Sequence, residues 1–328
     1  MAGPAPAVAA VRSAVRPALT ASEQPVLVAC SGGADSLALA AAIAFEAPRA
    51  GVPAGAVTVD HGLQPGSAER AARTAVLLRN LGLEPVSVVR VDVGADGGPE
   101  AAARAARYAA LATAARGARI ALGHTLDDQA ETVLLGLGRG SGPRSIAGMV
   151  DVRVSDGTTW WRPLLGLRRA TTRAACAAQE LPVWDDPWNG DAAYTRVRLR
   201  TEVLPLLEDV LGGGVAPALA RTAAQLREDL DGLDGLARAE LARHGNDGGL
   251  PAEAVAVLPA ALRRRVLREW LRGAGVPDLQ AVHLGAVDAL LTRWRGQGRV
   301  DLPGGAGVIR ASGRLVRVPP DDPEEPDQ

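Results

Sequence analysis

From residue 26 to residue 137 the chain repeats one pattern: a short apolar run, a polar string, then a stretch of helical length. The run VLVAC (26–30), short, apolar and with β-branched residues, reads as a buried strand, and AVTVD (56–60), VSVVRV (86–91) and RIALG (119–123) read as a second, third and fourth strand. The stretches 36–46, 67–80, 99–116 and 126–137 read as helices, the second with Glu69, Arg70 and Arg73 on its wet side. Strands separated by helices of this length pair in parallel through right-handed crossovers, which places helices on both faces of the sheet. In such sheets ligands sit beyond the carboxyl ends of the strands. The strings SGGADS (31–36), DHG (60–62) and GHTLDD (123–128) all fall there, so three separate segments converge on one rim.

Composition excludes several chemistries. All 36 basic residues are arginine, so lysine-dependent phosphate loops and Schiff-base enzymes are ruled out. The 2 cysteines, Cys30 and Cys176, form no CxxC pattern. That excludes a disulfide scaffold, a four-cysteine zinc site and a cysteine-ligated iron–sulfur cluster, and it suits a reducing, cytoplasmic compartment. A formal net charge of −1 argues against a uniformly basic nucleic-acid binder but leaves room for a local basic face. The N-terminal run has no charged leader and is broken by Pro4, Pro6 and Arg12, and no apolar stretch is long enough to span a bilayer. Neither a signal peptide nor a membrane partner is expected; a homodimer is compatible with the sequence.

After residue 140 the composition shifts. The stretch 139–200 holds ten arginines against six acids, with Trp160, Trp161, Trp184 and Trp188. The GGG at 212–214 marks a break, and 215–244, 257–273 and 279–294 show apolar spacing of three and four. Short terminal strands and the acidic PPDDPEEPDQ follow. The expected organisation is an extension or helix over 1–20, a catalytic α/β domain over 21–210, a mainly helical domain over 211–318 and a disordered acidic tail over 319–328.

In SGGADS, Gly32 and Gly33 can take positive φ, and their amides join those of the following helix turn in an anion nest. Ser31 and Ser36 add hydroxyls. Asp35 belongs in a phosphate site only if a Mg2+ ion lies between carboxylate and phosphates; the plainer alternative is a glycine-rich strand-to-helix turn. In GHTLDDQAETVLLGLGRGSG (123–142), Asp128 and Glu131 share a helix face and His124 lies four residues before Asp128. This trio can bind a cation or handle protons, whereas Asp127 and Asp128 can equally complement the helix dipole.

SGGADS resembles the PP-loop signature of the N-type ATP pyrophosphatases. The string from 123 resembles more narrowly the signature of the tRNA(Ile)-lysidine synthetases. VDHGL (59–63), EAAARAARY (100–108), RPLL (162–165) and WDDPWNGDAAYTRVRLRTEVLPLL (184–207) resemble further elements of that family, in the same order. Thr125, Gln64 and Trp188 depart from its usual residues. The resemblance implies a parallel sheet of five-stranded type with helices on both faces (PP-loop, adenine nucleotide alpha hydrolase-like) and a smaller, mainly helical C-terminal domain that binds tRNA, in a short form with one such module. It implies ATP-dependent ligation of L-lysine to the 2-position of the wobble cytidine in the CAU anticodon of tRNA(Ile), through an adenylated cytidine, with release of AMP and pyrophosphate. Ser31, Gly32, Gly33, Ala34, Asp35, Ser36 and Arg104 would bind ATP, Asp35 would hold Mg2+, and Asp35, His124, Asp128 and Glu131 would serve the chemistry. A PP-loop tRNA thiolase and a non-catalytic ATP switch are the rival readings. His61 is balanced between a structural and a site role. Trp160 and Trp161 are expected to pack between domains. Arg196, Arg198 and Arg200 are assigned to RNA phosphates in preference to pairing with Asp185 and Asp186, and Arg265, Arg268 and Arg272 form a helical stripe suited to phosphates.

Overall fold

The computed structural model describes residues 3–62, 64–92, 99–140, 142–244 and 249–319. Leu63 and Ser141, from two of the matched strings, and the tail beyond Pro319 lie outside them. The chain forms two compact units, Met1–Ala224 and Gln225–Gln328.

The first unit begins with α1 (Pro6–Thr20), β1 (Val26–Ala29), α2 (Ala34–Glu46), β2 (Ala54–Asp60), α3 (Ser67–Asn80) and β3 (Val86–Arg90). It continues through α4 (Pro99–Ala115), β4 (Arg119–Leu122), α5 (Leu126–Arg139), α6 (Pro143–Ile146), β5 (Val152–Ser155), β6 (Thr158–Trp161) and α7 (Arg169–Ala177). After α8 (Thr195–Arg198), a π-helical turn and α9 (Leu204–Val210), the long α10 (Val215–His244) contains the division between units.

The central strands β1, β2 and β4 form where the sequence supplies apolar residues for both faces, as Val26, Leu27 and Val28 show, whereas edge strand β3 is half-exposed. Helix α2 is apolar almost all round because the sheet lies on one side and α1 and α7 on the other. Helix α1 seals that layer with Val8, Val11, Val15 and Leu19, spaced three and four apart. The expected N-terminal helix is thus part of the core.

The sheet order is β3-β2-β1-β4-β6-β5. Five strands run parallel, and β5 adds one antiparallel edge through its hairpin with β6. Trp160 and Trp161 lie on β6 at 5% and 3% exposure, Trp160 against Tyr108 and Trp161 beneath the Arg119 guanidinium. This corrects their assignment between domains: they complete the core of the first unit. From β1 the chain moves outward to β2 and β3, then returns across β1 to β4. The reversal places a topological switch between β1 and β4, where open α/β sheets bind ligands.

The second unit adds β7 (Leu250–Pro251), α11 (Ala252–Ala256), α12 (Ala260–Gly273), α13 (Ala281–Thr292), β8 (Val300–Asp301), β9 (Gly307–Ala311) and β10 (Arg314–Val318). Its antiparallel sheet has the order β7-β10-β9-β8, and Val266, Leu267, Trp270, Val287 and Leu315 anchor its core. The arginine stripe on α12 is not a free cationic face. Arg265 donates to Asp234 at 2.9 Å, and the neighbouring Arg263 is buried against Asp288 at 2.6 Å. Arginines three and four apart on a packed helix meet acids of the helices beside it. Arg264 and Arg272 are exposed.

Candidate active site

The carboxyl ends of β1, β2 and β4, with the starts of α2, α5 and α7, enclose a cleft of about 580 Å³. That volume suits a nucleotide-sized ligand.

The loop after β1 is held by its own side chains. The Ser36 hydroxyl donates to the Gly33 carbonyl (2.9 Å) and accepts the Ser31 N–H (3.2 Å), so Ser36 closes the turn while Ser31 stays exposed. Gly32 has φ +86° and a Cβ there would lie 2.9 Å from Thr74 Oγ1. Gly33, expected to share the positive φ, is instead extended at φ −75°, ψ 160° as the N-cap of α2. The first turn of α2, from Ala34 through Asp35 and Ser36, carries amides with no intrahelical acceptor. Gly123 brings β4 against this turn: a Cβ would lie 3.0 Å from the backbone of Asp35 and Ser36. The Trp184 N–H donates to the Gly32 carbonyl (3.0 Å), which ties the segment after 184 to the loop.

Beside the loop lies a charge cluster centred on Arg169. Asp35 accepts from the Thr172 hydroxyl through one oxygen and from Arg169 Nε (3.2 Å) through the other. Arg169 Nη2 donates to Asp128 (2.6 Å), and Nη1 lies 3.6 Å from Glu131. Asp128 also closes a capping box, accepting the Thr125 amide (2.7 Å) and hydroxyl (2.9 Å). Glu131 has a side chain only 1% exposed and accepts from Arg200 Nε (2.8 Å) and Nη2 (3.3 Å), with Arg196 at 3.7 Å. Arg196 and Arg200 therefore answer the acids of α5. Arg198 pairs with Glu202, Asp185 with Arg173, and Asp186 accepts from Gln64 and the Trp188 amide.

Burial raises the Asp35 carboxyl against the opposing pull of Thr172 and Arg169. Burial would also raise Asp128, but Arg169 and Thr125 outweigh it and hold that carboxyl below its usual range. His61 and His124 line the cleft with buried Nδ1 atoms that have no hydrogen-bond partner. Burial lowers both imidazoles, that of His124 to about 3 against the attraction of Asp128, so both rings are neutral near pH 7. Cys30 is buried under the loop, its thiol raised by burial.

A PP-loop domain family model matches residues 7–207, and a TilS substrate binding domain model matches 250–316. The tRNA(Ile)-lysidine synthase of Streptomyces coelicolor is 55% identical over 96% of this chain and 99% of its own length. The chain belongs to the tRNA(Ile)-lysidine synthase family. The synthases of Leifsonia xyli subsp. xyli and Thermobifida fusca are 57% and 53% identical, over 90% and 96% of this chain and 90% and 99% of theirs. Among solved structures, the U34-tRNA thiolase NcsA from Methanococcus maripaludis superposes with a TM-score of 0.56 at 19% identity, covering 68% of this chain and 80% of its own. That likeness reports the shared PP-loop fold alone.

In this member of the tRNA(Ile)-lysidine synthase family, the candidate site also contains Arg107, Arg169 and Thr172, to which the sequence reading gave no role there, whereas Arg104, expected to bind ATP, does not line the cleft. Arg104 is exposed, donates to the Tyr108 hydroxyl at 3.3 Å and stacks on that ring, while Arg107, one turn later, is half-buried and lines the cleft. Arg169 and Thr172 lie four and seven residues beyond the end of the RPLL string, and that nearness was the available signal. Among the described residues no group of three His, Cys, Asp or Glu side chains can hold a metal unaided. Asp35, one-fifth exposed beside a phosphate nest, still fits a magnesium ion that arrives on phosphates, since such ions take one or two carboxylates and complete their shell with phosphate oxygens and water.

Proposed function

We propose that the chain joins L-lysine to the 2-position of the wobble cytidine in the CAU anticodon of tRNA(Ile), using ATP, in the cytoplasm. The observation that carries this reading is the juxtaposition in one cleft of an anion loop and the carboxylates Asp35 and Asp128, joined by a single guanidinium. The phosphates of ATP and the side-chain ammonium of lysine would each find their complement there.

The cytidine 2-oxygen attacks the α-phosphorus of ATP and the bond to pyrophosphate breaks. The adenylated oxygen is then a competent leaving group. The lysine side-chain amine, having shed its ammonium proton, attacks ring carbon 2, and AMP departs with the carbon–oxygen bond. Residues 31–36 hold the pyrophosphate half, Gly32, Gly33 and Ala34 through the backbone. Asp35 is the residue that would hold a magnesium ion, which would offset the negative charge of the phosphates. Arg107, which lines the cleft, would meet a phosphate, and Arg104 would join it on leaving Tyr108. Asp128 faces the ammonium, the neutral His124 ring adds no positive charge to oppose it, and the amine's proton passes to water. Glu131 lies beneath Arg200 and orients it.

The thiolase alternative needs reactive thiols, and both cysteines are buried with thiols raised above their ordinary value, Cys176 to about 11. Two-step chemistry is tested by omitting lysine and supplying α-phosphate-labelled ATP. Label should collect on tRNA(Ile) and be chased into AMP when lysine is added. Labelled tRNA that lysine does not discharge would overturn the assignment.

A further inference from the structure

Arg169 opens α7 and is placed there by its neighbours. Its backbone N–H donates to Asp127 (2.7 Å), and Arg168 pairs with the same carboxylate (3.1 Å). The start of α7 is thus pinned to the first turn of α5, and the Arg169 guanidinium enters the cleft with one edge open, its side chain 19% exposed. It touches Asp35 at 3.2 Å and Asp128 at 2.6 Å, with Glu131 at 3.6 Å. Carboxylates from two helices converge on one cation, and without it like charges this close would repel. The planar fork of a guanidinium answers several directions at once, as a compact ammonium cannot.

The carboxylates that Arg169 engages are the ones the proposed chemistry needs for magnesium and for the lysine ammonium. An incoming cation therefore meets a positive charge already in place. We propose that Arg169 is a resident counter-ion which holds Asp35, Asp128 and Glu131 in register before substrates bind, and which gives up Asp35 to phosphate-borne magnesium and Asp128 to lysine. This inference rests on the function proposed above. Thr172 holds the other oxygen of Asp35, so that carboxylate keeps its orientation when Arg169 withdraws. The phosphates that bring the ion also offer the freed guanidinium an anion. Arg169 is a positioning residue: it acts through the carboxylates.

Direct Mn2+ binding, read by electron paramagnetic resonance on the full chain with a non-hydrolysable ATP analogue, separates competition from support. Removing a positive charge this close should tighten binding, so Arg169→Gln is expected to bind Mn2+ about tenfold more tightly than the wild type. The gain should vanish in the Asp35→Asn background, and the lysine KM should fall together with kcat. Unchanged or weaker Mn2+ binding in Arg169→Gln would overturn the proposal. Should Arg169→Gln fail to fold, Arg169→Lys carries the test, because its ammonium cannot span the same carboxylates; several-fold tighter binding is expected, and wild-type binding would overturn it. Wild-type lysine transfer, measured in parallel, keeps the two claims apart. Transfer without the Mn2+ gain rejects only the role of Arg169; the gain without transfer rejects the proposed function.

Discussion

Burial raises the Asp35 carboxyl, so the folded protein binds this proton more tightly than the unfolded chain does. For a raised carboxyl, the ionised form costs stability above the unfolded pKa, and the cost is relieved as pH falls through the folded value. Asp35→Asn removes that charge. It is expected to match or exceed the wild-type Tm at about pH 8, to lose the advantage near pH 4, and to abolish lysidine formation at both. Thermal melts at the two pH values check this; a lower Tm at the higher pH would mean that the pairing with Arg169 outweighs burial. Glu131 gives the opposite kind of residue. Breaking a buried ion pair costs about 3–5 kcal/mol, and with Arg200 still partly wet, Glu131→Gln should lose about 2–3 kcal/mol. A raised lysine KM with an unaltered Tm would place Glu131 against substrate and not beneath the arginines. Asp35, His124 and Asp128 were legible because each lies in a polar string at a strand end. Arg169 was not, because its partners lie 134 and 41 positions away and only the packing of α7 on α5 unites them.

At the scale of elements, the approach of β4 to α2 sets the shape of the phosphate loop. Gly123→Ala would drive a Cβ against backbone that cannot move aside as a flexible side chain could. The start of α2 should shift, and affinity for an ATP analogue should fall about tenfold or more, as a small displacement of a binding turn does. Calorimetric titration measures it; unchanged affinity would show that the turn tolerates displacement. The four strands read from the sequence were legible because each is a short apolar run; β1, β2 and β4 are buried, whereas the edge strand β3 leaves Val88 exposed. The β5–β6 hairpin was missed, although Asp156-Gly157 announces it: both residues have positive φ, 50° and 72°, as a two-residue hairpin turn requires. The stretch around it is polar and arginine-rich, which hides a short edge strand whose residues are largely exposed.

At the scale of the whole molecule, the second unit carries the match to a substrate binding domain. Helical spacing alone suggested which arginines of α12 meet RNA, but spacing does not show which face packs. Arg265→Gln is expected to lower the Tm by loosening its pair with Asp234, with little change in the salt dependence of tRNA binding. Arg264→Gln with Arg272→Gln should make the log–log salt slope shallower by roughly 0.7–0.9 per lost phosphate contact. Titrations of tRNA at several salt concentrations decide between them, and an unchanged slope would move the RNA contact away from α12. The central claim concerns what is joined to what, and one measurement reaches it directly: the transfer of radiolabelled lysine to tRNA(Ile) bearing a CAU anticodon, with and without ATP. Label should enter the tRNA only with ATP, mole for mole with AMP released, and should be lost when the wobble cytidine is replaced by uridine. Labelling that survives this replacement, or an ATP-dependent modification that takes up sulfur and no lysine, would contradict it.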